Sequence, residues 1–419
     1  MFRYESCKQA IYLLAFYVFA LATENHIFII GAFDRFNYGD LLFPLVIEAQ
    51  LATYGQSFDT RYFGIIESDL SALGGKPTDD IQAFYRACRE STGHTSVIVA
   101  GGEAVAVTWS SLLLALNSTF KRTRRFHHYI NKVIDLNAFA KRRLHGETAL
   151  PFVFTASDFA GVDRVIFNSL GGSEIDPATF NRFGALRDKL RGVDYFAVRD
   201  EATQRNLAKQ GIDTHLYPDS AILMSSFYPV ALLAERVSPQ VAEYVAGNRH
   251  RYVFFQIKNN HAKANERLLA QQLDAVASKT GLHLCLCPIG KALNHDDHLA
   301  LQRIAPLLAQ PSILFDEVTI WDIMYLVANA GVYVGTSLHG AITAMSYAVP
   351  YVGIAVTKLH SYLQTWGVDG INHTVSLNEI NEGVDRALAT DRAVLEQSRE
   401  QQLNAADASF SHIRQLAFS

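Results

Sequence analysis

Residues 331–355, GVYVGTSLHGAITAMSYAVPYVGIA, gather side chains able to hold an anion and move a proton. An apolar strand, Val332–Val334, ends at Gly335, and Thr336, Ser337, Leu338, His339 and Gly340 make the turn into a helix. Small residues line that helix (Ala341, Thr343, Ala344, Ser346, Ala348), Pro350 stops it, and a second apolar strand, Tyr351–Ile354, begins. The first amides of a helix lack intrahelical acceptors, so Ser337, His339 and the Gly340 amide suit an anion. His339 adds an imidazole that titrates near neutrality and suits general acid/base work. A core histidine with satisfied nitrogens is the alternative for the same pattern. Lys358 follows the next strand at the same sheet edge.

Arg199 directly follows the apolar run YFAV and precedes an acid-started helix, DEATQRNLAKQ, closed by Gly211. Its guanidinium could fork onto a carboxylate or phosphate, or pair with Asp200 or Glu201. Three further turns bring bare backbone to strand ends. These are Gly31 to Asp40, with Asn37-Tyr38-Gly39-Asp40 leading into a helix; Gly101-Gly102-Glu103; and Asn168 to Ser173.

The elements that must position these turns alternate short β-rich runs with helical stretches, which predicts parallel sheets. The expected strands are 27–30, 97–100, 152–154, 165–168, 195–198 and 214–217, then 252–257, 282–287, 313–315, 332–334 and 351–354. A helical connection at 221–250 divides the series. The fold class is therefore α/β, with two facing Rossmann-like domains at 26–220 and 251–375. C-terminal helices follow at 376–419, and 1–25 form an apolar N-terminal segment. Ligands in such sheets bind beyond the carboxyl ends of the strands, where these turns gather.

Composition is consistent with a folded chain of more than one core: 419 residues, 49% hydrophobic and 19% charged. A net charge of −4 gives no global attraction to nucleic acid. Four cysteines are too few for a disulfide framework, and Cys285 and Cys287 are spaced for core packing, which favours a reducing, cytoplasmic setting. The run Ala10–Ala22 is apolar but short for a membrane span. It reads as a signal-like segment, an anchor or a packing helix.

Taken in order, the Asn37–Asp40 turn, Gly101-Gly102-Glu103, the turn at Asn168, Val198-Arg199-Asp200 with Gly211, Pro218-Asp219, Ser337-Leu338-His339-Gly340 and Lys358 resemble the polysaccharide pyruvyl transferase family. The resemblance covers roughly residues 27–370 and implies a GT-B-like fold. It also implies an enzyme that moves the pyruvyl group of phosphoenolpyruvate onto sugar hydroxyls as a ketal. By that likeness Arg199 and His339 match positions that bind phosphoenolpyruvate, with Leu338 beside them. Ser337, Gly340 and Lys358 complete the expected donor site, and Asn37, Asp40, Glu103 and Asn168 are the acceptor candidates. No cofactor or metal is expected. Two positions depart from the family pattern: Glu103 replaces a more usual glycine, and Ser337 a frequent arginine.

Two other readings stand beside this one: a nucleotide-sugar glycosyltransferase on the same plan, and a catalytically silent sugar-binding or assembly subunit. The first would want acids to hold a ribose. The stretch Asn294 to His298 offers Asp296 and Asp297, though a capped helix start explains it better than a metal cluster. Residues 121–143 carry eight Lys/Arg and one acid, Asp135. Interleaved with aromatics, they suit the inner face of an anionic membrane near a lipid-linked acceptor, or else a solvated face or subunit contact.

Overall fold

The computed structural model describes residues 25–131, 134–292 and 296–419. The apolar run at 10–22 and Asn294 and His295 lie outside the described residues. Twelve parallel strands form two sheets of six. The first contains β1 (Asn25–Ile30), β2 (Asp59–Phe63), β3 (His94–Ala100), β4 (Arg164–Leu170), β5 (Tyr195–Val198) and β6 (His215–Leu216) in the order β2-β1-β3-β4-β5-β6. The second contains β7 (Tyr252–Gln256), β8 (His283–Leu286), β9 (Ser312–Leu314), β10 (Val332–Gly335), β11 (Tyr351–Ile354) and β12 (Thr374–Val375) in the order β12-β11-β10-β7-β8-β9.

Helices cover both faces of each sheet, so the central strands are apolar without alternation. YVFFQ of β7, VYVG of β10 and YVGI of β11 are buried at every position. Two expectations fail for local reasons. Phe152 and Phe154 are buried, but Val153 makes only an isolated bridge to Leu150, so this apolar run packs without joining a sheet. Conversely, β2 reads DTRYF and is half exposed at its edge, so its polar residues hide a real strand.

Six helices matter for the site: α1 (Tyr38–Ala52), α2 (Glu201–Ala208), α3 (Asp297–Ile304), α4 (Leu338–Ser346), α5 (Thr357–Trp366) and α6 (Arg392–Ala417). Between β6 and β7 the chain runs through short helices at Met224–Phe227, Val230–Ala234 and Pro239–Asn248. The 26-residue α6 returns to the first sheet. Gln50 donates to Asp407 at 2.7 Å, and the hydroxyls of Tyr195 and Ser409 meet at 3.0 Å.

The carboxyl ends of the two sheets face each other across a cleft, and the first turn spans it. The Tyr38 amide donates to the Ile289 carbonyl at 3.1 Å, Asn37 bridges Gly290, and the Tyr38 hydroxyl meets Thr343 Oγ1 at 2.8 Å. On the other flank, α5 locks onto the β5 turn. Trp366 Nε1 donates to the Arg199 carbonyl at 2.8 Å, and the Glu201 amide to Thr365 Oγ1 at 3.2 Å.

Candidate active site

Ser337 has extended backbone and caps α4, its Oγ accepting from the Gly340 amide at 3.2 Å. That amide is therefore already engaged, a correction to its expected role as an anion donor. The first-turn amides of Leu338 and His339 remain for that task. Gly340 serves packing: a β-carbon there would lie 2.3 Å from the Tyr333 hydroxyl, which donates to the Ser337 carbonyl at 3.1 Å.

His339 is 6% exposed and its ring is fixed from the first domain. Phe43 of α1 meets it edge to face at 5.3 Å. Gly39 lies so close that a β-carbon there would fall 1.7 Å from Nδ1, so only glycine lets α1 approach this imidazole. Nε2 lies 3.5 Å from Asp219 Oδ2. At that separation no hydrogen bond is formed, and Nε2 has no other partner among the described residues.

Arg199 is 1% exposed and held by two carboxylates. Nη2 meets Glu103 Oε1 at 2.7 Å and Nη1 meets Asp219 Oδ2 at 3.1 Å. Its partners are thus neither Asp200 nor Glu201, its neighbours in sequence. Asp200 instead caps α2 through Thr203. A β-carbon on Gly171 would lie 2.5 Å from both Arg199 Nη2 and Glu103 Oε1, so this glycine makes room for the pair. Asp219 is fully buried. Burial raises its pKa, but His339 and Arg199 outweigh that and leave it below the ordinary carboxylate value, hence ionised at neutral pH.

Opposite this cluster is a small cavity lined by Asn37, Lys258, Asp297, Ser337, Leu338, His339 and Lys358, with Gln256, Ile289 and Gly290. Neither ammonium has an ion-pair partner among the described residues. Burial lowers the Lys258 pKa to about 8, helped by repulsion from Lys358. The Lys358 pKa is lowered by burial and then by Arg199, against the pull of Glu103 and Asp40. A larger cavity of about 790 Å³ lies behind α5 beside Asp369, Arg386 and Gln401, and carries none of the candidate residues.

The structure thus brings Ser337, Leu338, His339, Lys358 and Asn37 to one cavity and sets Arg199 and Glu103 behind it. Asp40 is 8% exposed and accepts from Asn37 Nδ2 at 2.6 Å. Glu103 is divided between Arg199 and the Ser173 amide, at 3.1 Å. Asn168 is fully buried and donates to Ser220 Oγ at 3.1 Å. Sequence reasoning passed over Lys258 and Gln256, quoted Asp219 only within the Pro218-Asp219 motif, and weighed Asp297 only as an acid for the glycosyltransferase alternative. Lys258 follows β7 as Lys358 follows β11, so the same edge argument would have found it.

A family model described as polysaccharide pyruvyl transferase matches residues 37–357, which include Arg199, Asp219, Asp297 and His339. The chain belongs to the polysaccharide pyruvyl transferase family. Membership makes it a transferase of polysaccharide biosynthesis acting on a saccharide acceptor. No curated protein sequence matches it. Among solved structures it is similar to UDP-GlcNAc 2-epimerase from Neisseria meningitidis bound to UDP-GlcNAc. The identity is 10% and the TM-score 0.55, covering 92% of this chain and 98% of that one. UDP-N-acetylglucosamine 2-epimerase from Rickettsia bellii gives 10% identity and a TM-score of 0.53, covering 93% and 96%. At such identity these likenesses speak for the fold alone, which is GT-B-like.

Proposed function

We propose that this pyruvyl transferase uses phosphoenolpyruvate as donor and forms a ketal on two hydroxyls of a saccharide, releasing phosphate. The observation that carries the reading is the pair of half-buried lysines, Lys258 and Lys358, beside His339. Two ammoniums in one cavity, neither in an ion pair among the described residues and with Lys358 helping to lower the Lys258 pKa, suit a small ligand with two anionic groups. Phosphoenolpyruvate, with a phosphate and a carboxylate, has that charge pattern. The open amides of Leu338 and His339 would complete its cradle.

The reaction needs a proton on the methylene carbon, attack by a hydroxyl on the adjacent carbon, and departure of phosphate. His339, with Nε2 unpaired among the described residues and Asp219 Oδ2 3.5 Å away, is the proton donor in this reading. Arg199 acts at one remove: enclosed by Glu103 and Asp219, it positions Asp219 behind His339. Asn37 and Asp40, on the first-domain lip, would meet the acceptor in this reading, with Glu103 behind them. Phosphorus NMR tests the whole reading. Phosphate should leave phosphoenolpyruvate only when an acceptor sugar is present. Release of a nucleoside diphosphate from a sugar nucleotide would point to a glycosyltransferase, and neither reaction to a silent subunit.

The reading extends to a cytoplasmic enzyme at the inner membrane face, acting on a lipid-linked acceptor. Among the described residues no helix is long and apolar enough to cross a membrane. Exposed Phe126, Tyr129, Ile134 and Phe139, however, lie in the basic segment with Arg122, Arg124, Arg125 and Arg142. Lys121 of that segment pairs with Asp296 at 3.2 Å, beside the cavity residue Asp297. Co-sedimentation with vesicles should rise with their anionic lipid content; indifference to it would remove this extension.

A further inference from the structure

Asp297 opens α3 and is 2% exposed. Its two oxygens are treated very differently. Oδ2 accepts from Gln256 Nε2 at 2.7 Å, the Gly290 amide at 3.1 Å and the Ile289 amide at 3.2 Å. Oδ1 is buried with no partner. Leaving a buried acceptor unpaired is costly, because it gives up water without gaining a protein partner. Holding the 289–290 loop requires only Oδ2, so the loop does not explain the second oxygen. A ligand hydroxyl in the cavity that Asp297 lines with His339, Lys258, Lys358 and Asn37 would explain it.

The side chain is also fixed in orientation. Gln256 Oε1 accepts from the amide of Thr336 at 3.1 Å and from its hydroxyl at 3.2 Å, which aims the Gln256 amide nitrogen at Asp297. Thr336 belongs to the turn that carries His339. The carboxylate and the imidazole are therefore held by one hydrogen-bonded network and cannot drift apart independently.

We propose that Asp297 is a further catalytic residue, taking the proton of an acceptor hydroxyl through Oδ1. The inference rests on the pyruvyl-transfer reading above. Two hydroxyl protons must be placed. The π pair of the double bond takes one proton at the methylene carbon from His339, which one hydroxyl later restores. The neighbouring carbon forms two bonds to sugar oxygens and loses its bond to the phosphate oxygen. The second hydroxyl proton passes through Asp297 to the departing phosphate, so atoms and charge balance with no added reactant. Burial raises the Asp297 pKa to about 7, opposed by Gln256, the two amides and Lys258. Facing it are the Lys258 ammonium, the Cys287 thiol and the Tyr333 phenol.

The test compares Asp297→Asn and Gln256→Met with wild type for phosphate release across the neutral pH range. Asp297→Asn keeps the acceptor for the Oδ2 network. It should lower kcat by about 100-fold or more, abolish the acid limb of the kcat profile and leave phosphoenolpyruvate affinity unchanged. Gln256→Met removes a donor that stabilises the carboxylate, so the acid limb should move to higher pH. A merely structural Asp297 would leave that limb in place. If Asp297→Asn keeps kcat within about threefold with its acid limb intact, the inference fails and the pyruvyl-transfer reading survives. If Asp297→Asn does not fold, an unmoved limb in folded Gln256→Met overturns it equally. Absence of acceptor-dependent phosphate release in wild type overturns both.

Discussion

The two lips of the cleft treat charge in opposite ways. On the first-domain lip Arg199 is matched by Glu103 and Asp219, and Asp40 by Asn37. On the second-domain lip Lys258 and Lys358 make no ion pair among the described residues, although Asp297 shares their cavity, and His339 Nε2 and Asp297 Oδ1 are buried without hydrogen bonds. Satisfied buried charges hold geometry; unsatisfied ones store a demand that a ligand can meet. In the proposed reading the first domain braces the site while the second supplies its reacting surface. Glu103 is central to that division because it occupies the Arg199 guanidinium.

The largest expected effect is on the reacting side. His339→Gln should reduce phosphate release by roughly 100- to 10,000-fold with phosphoenolpyruvate affinity and melting temperature unchanged. On the bracing side, Arg199→Met should instead cost stability, roughly 3–5 kcal/mol in denaturant unfolding, because Asp219 loses the guanidinium that helps keep it ionised in the core. If Arg199→Met unfolded like wild type and lost only donor affinity, the division between the lips would be wrong. Gly39→Ala connects the two sides. Displacing the imidazole by about an ångström should lower kcat about 100-fold with a smaller change in stability. A variant with full activity would show that α1 does not set the ring.

A pH titration gives the smallest effect. Lys258 binds an anion only when charged, and its pKa of about 8 in the free protein lies within reach. Raising the pH through that value removes the charge, so the dissociation constant for phosphoenolpyruvate should rise by about tenfold per pH unit above it. Binding in turn should raise the lysine pKa and take up protons near that pH. Affinity that stays flat there would exclude Lys258 from the donor site.

Much of this was legible in the sequence because it depends on local order. The run VYVGTSLHG places a fully buried strand, a capped turn and His339 within nine residues, and Tyr195–Val198 and Tyr351–Ile354 match β5 and β11 residue for residue. What was hidden depends on distant pairing. Arg199 finds Glu103 from 96 residues away rather than its acidic neighbours. Asp297 read as a helix start because its unpaired oxygen is visible only once Gln256, 41 residues earlier, closes on the other. Gly39 showed a tight turn, but not that the space beside it belongs to His339.

The proposed donor site depends on the Lys258 and Lys358 ammoniums of the second domain. Calorimetric titration of phosphoenolpyruvate, without acceptor, into wild type and a Lys258→Met, Lys358→Met double variant tests it most directly. Wild type should bind, and the double variant should lose about 100-fold or more in affinity. Its melting temperature should be unchanged or higher, since the repulsion between two half-buried ammoniums is relieved. Undiminished binding by the double variant would contradict this dependence.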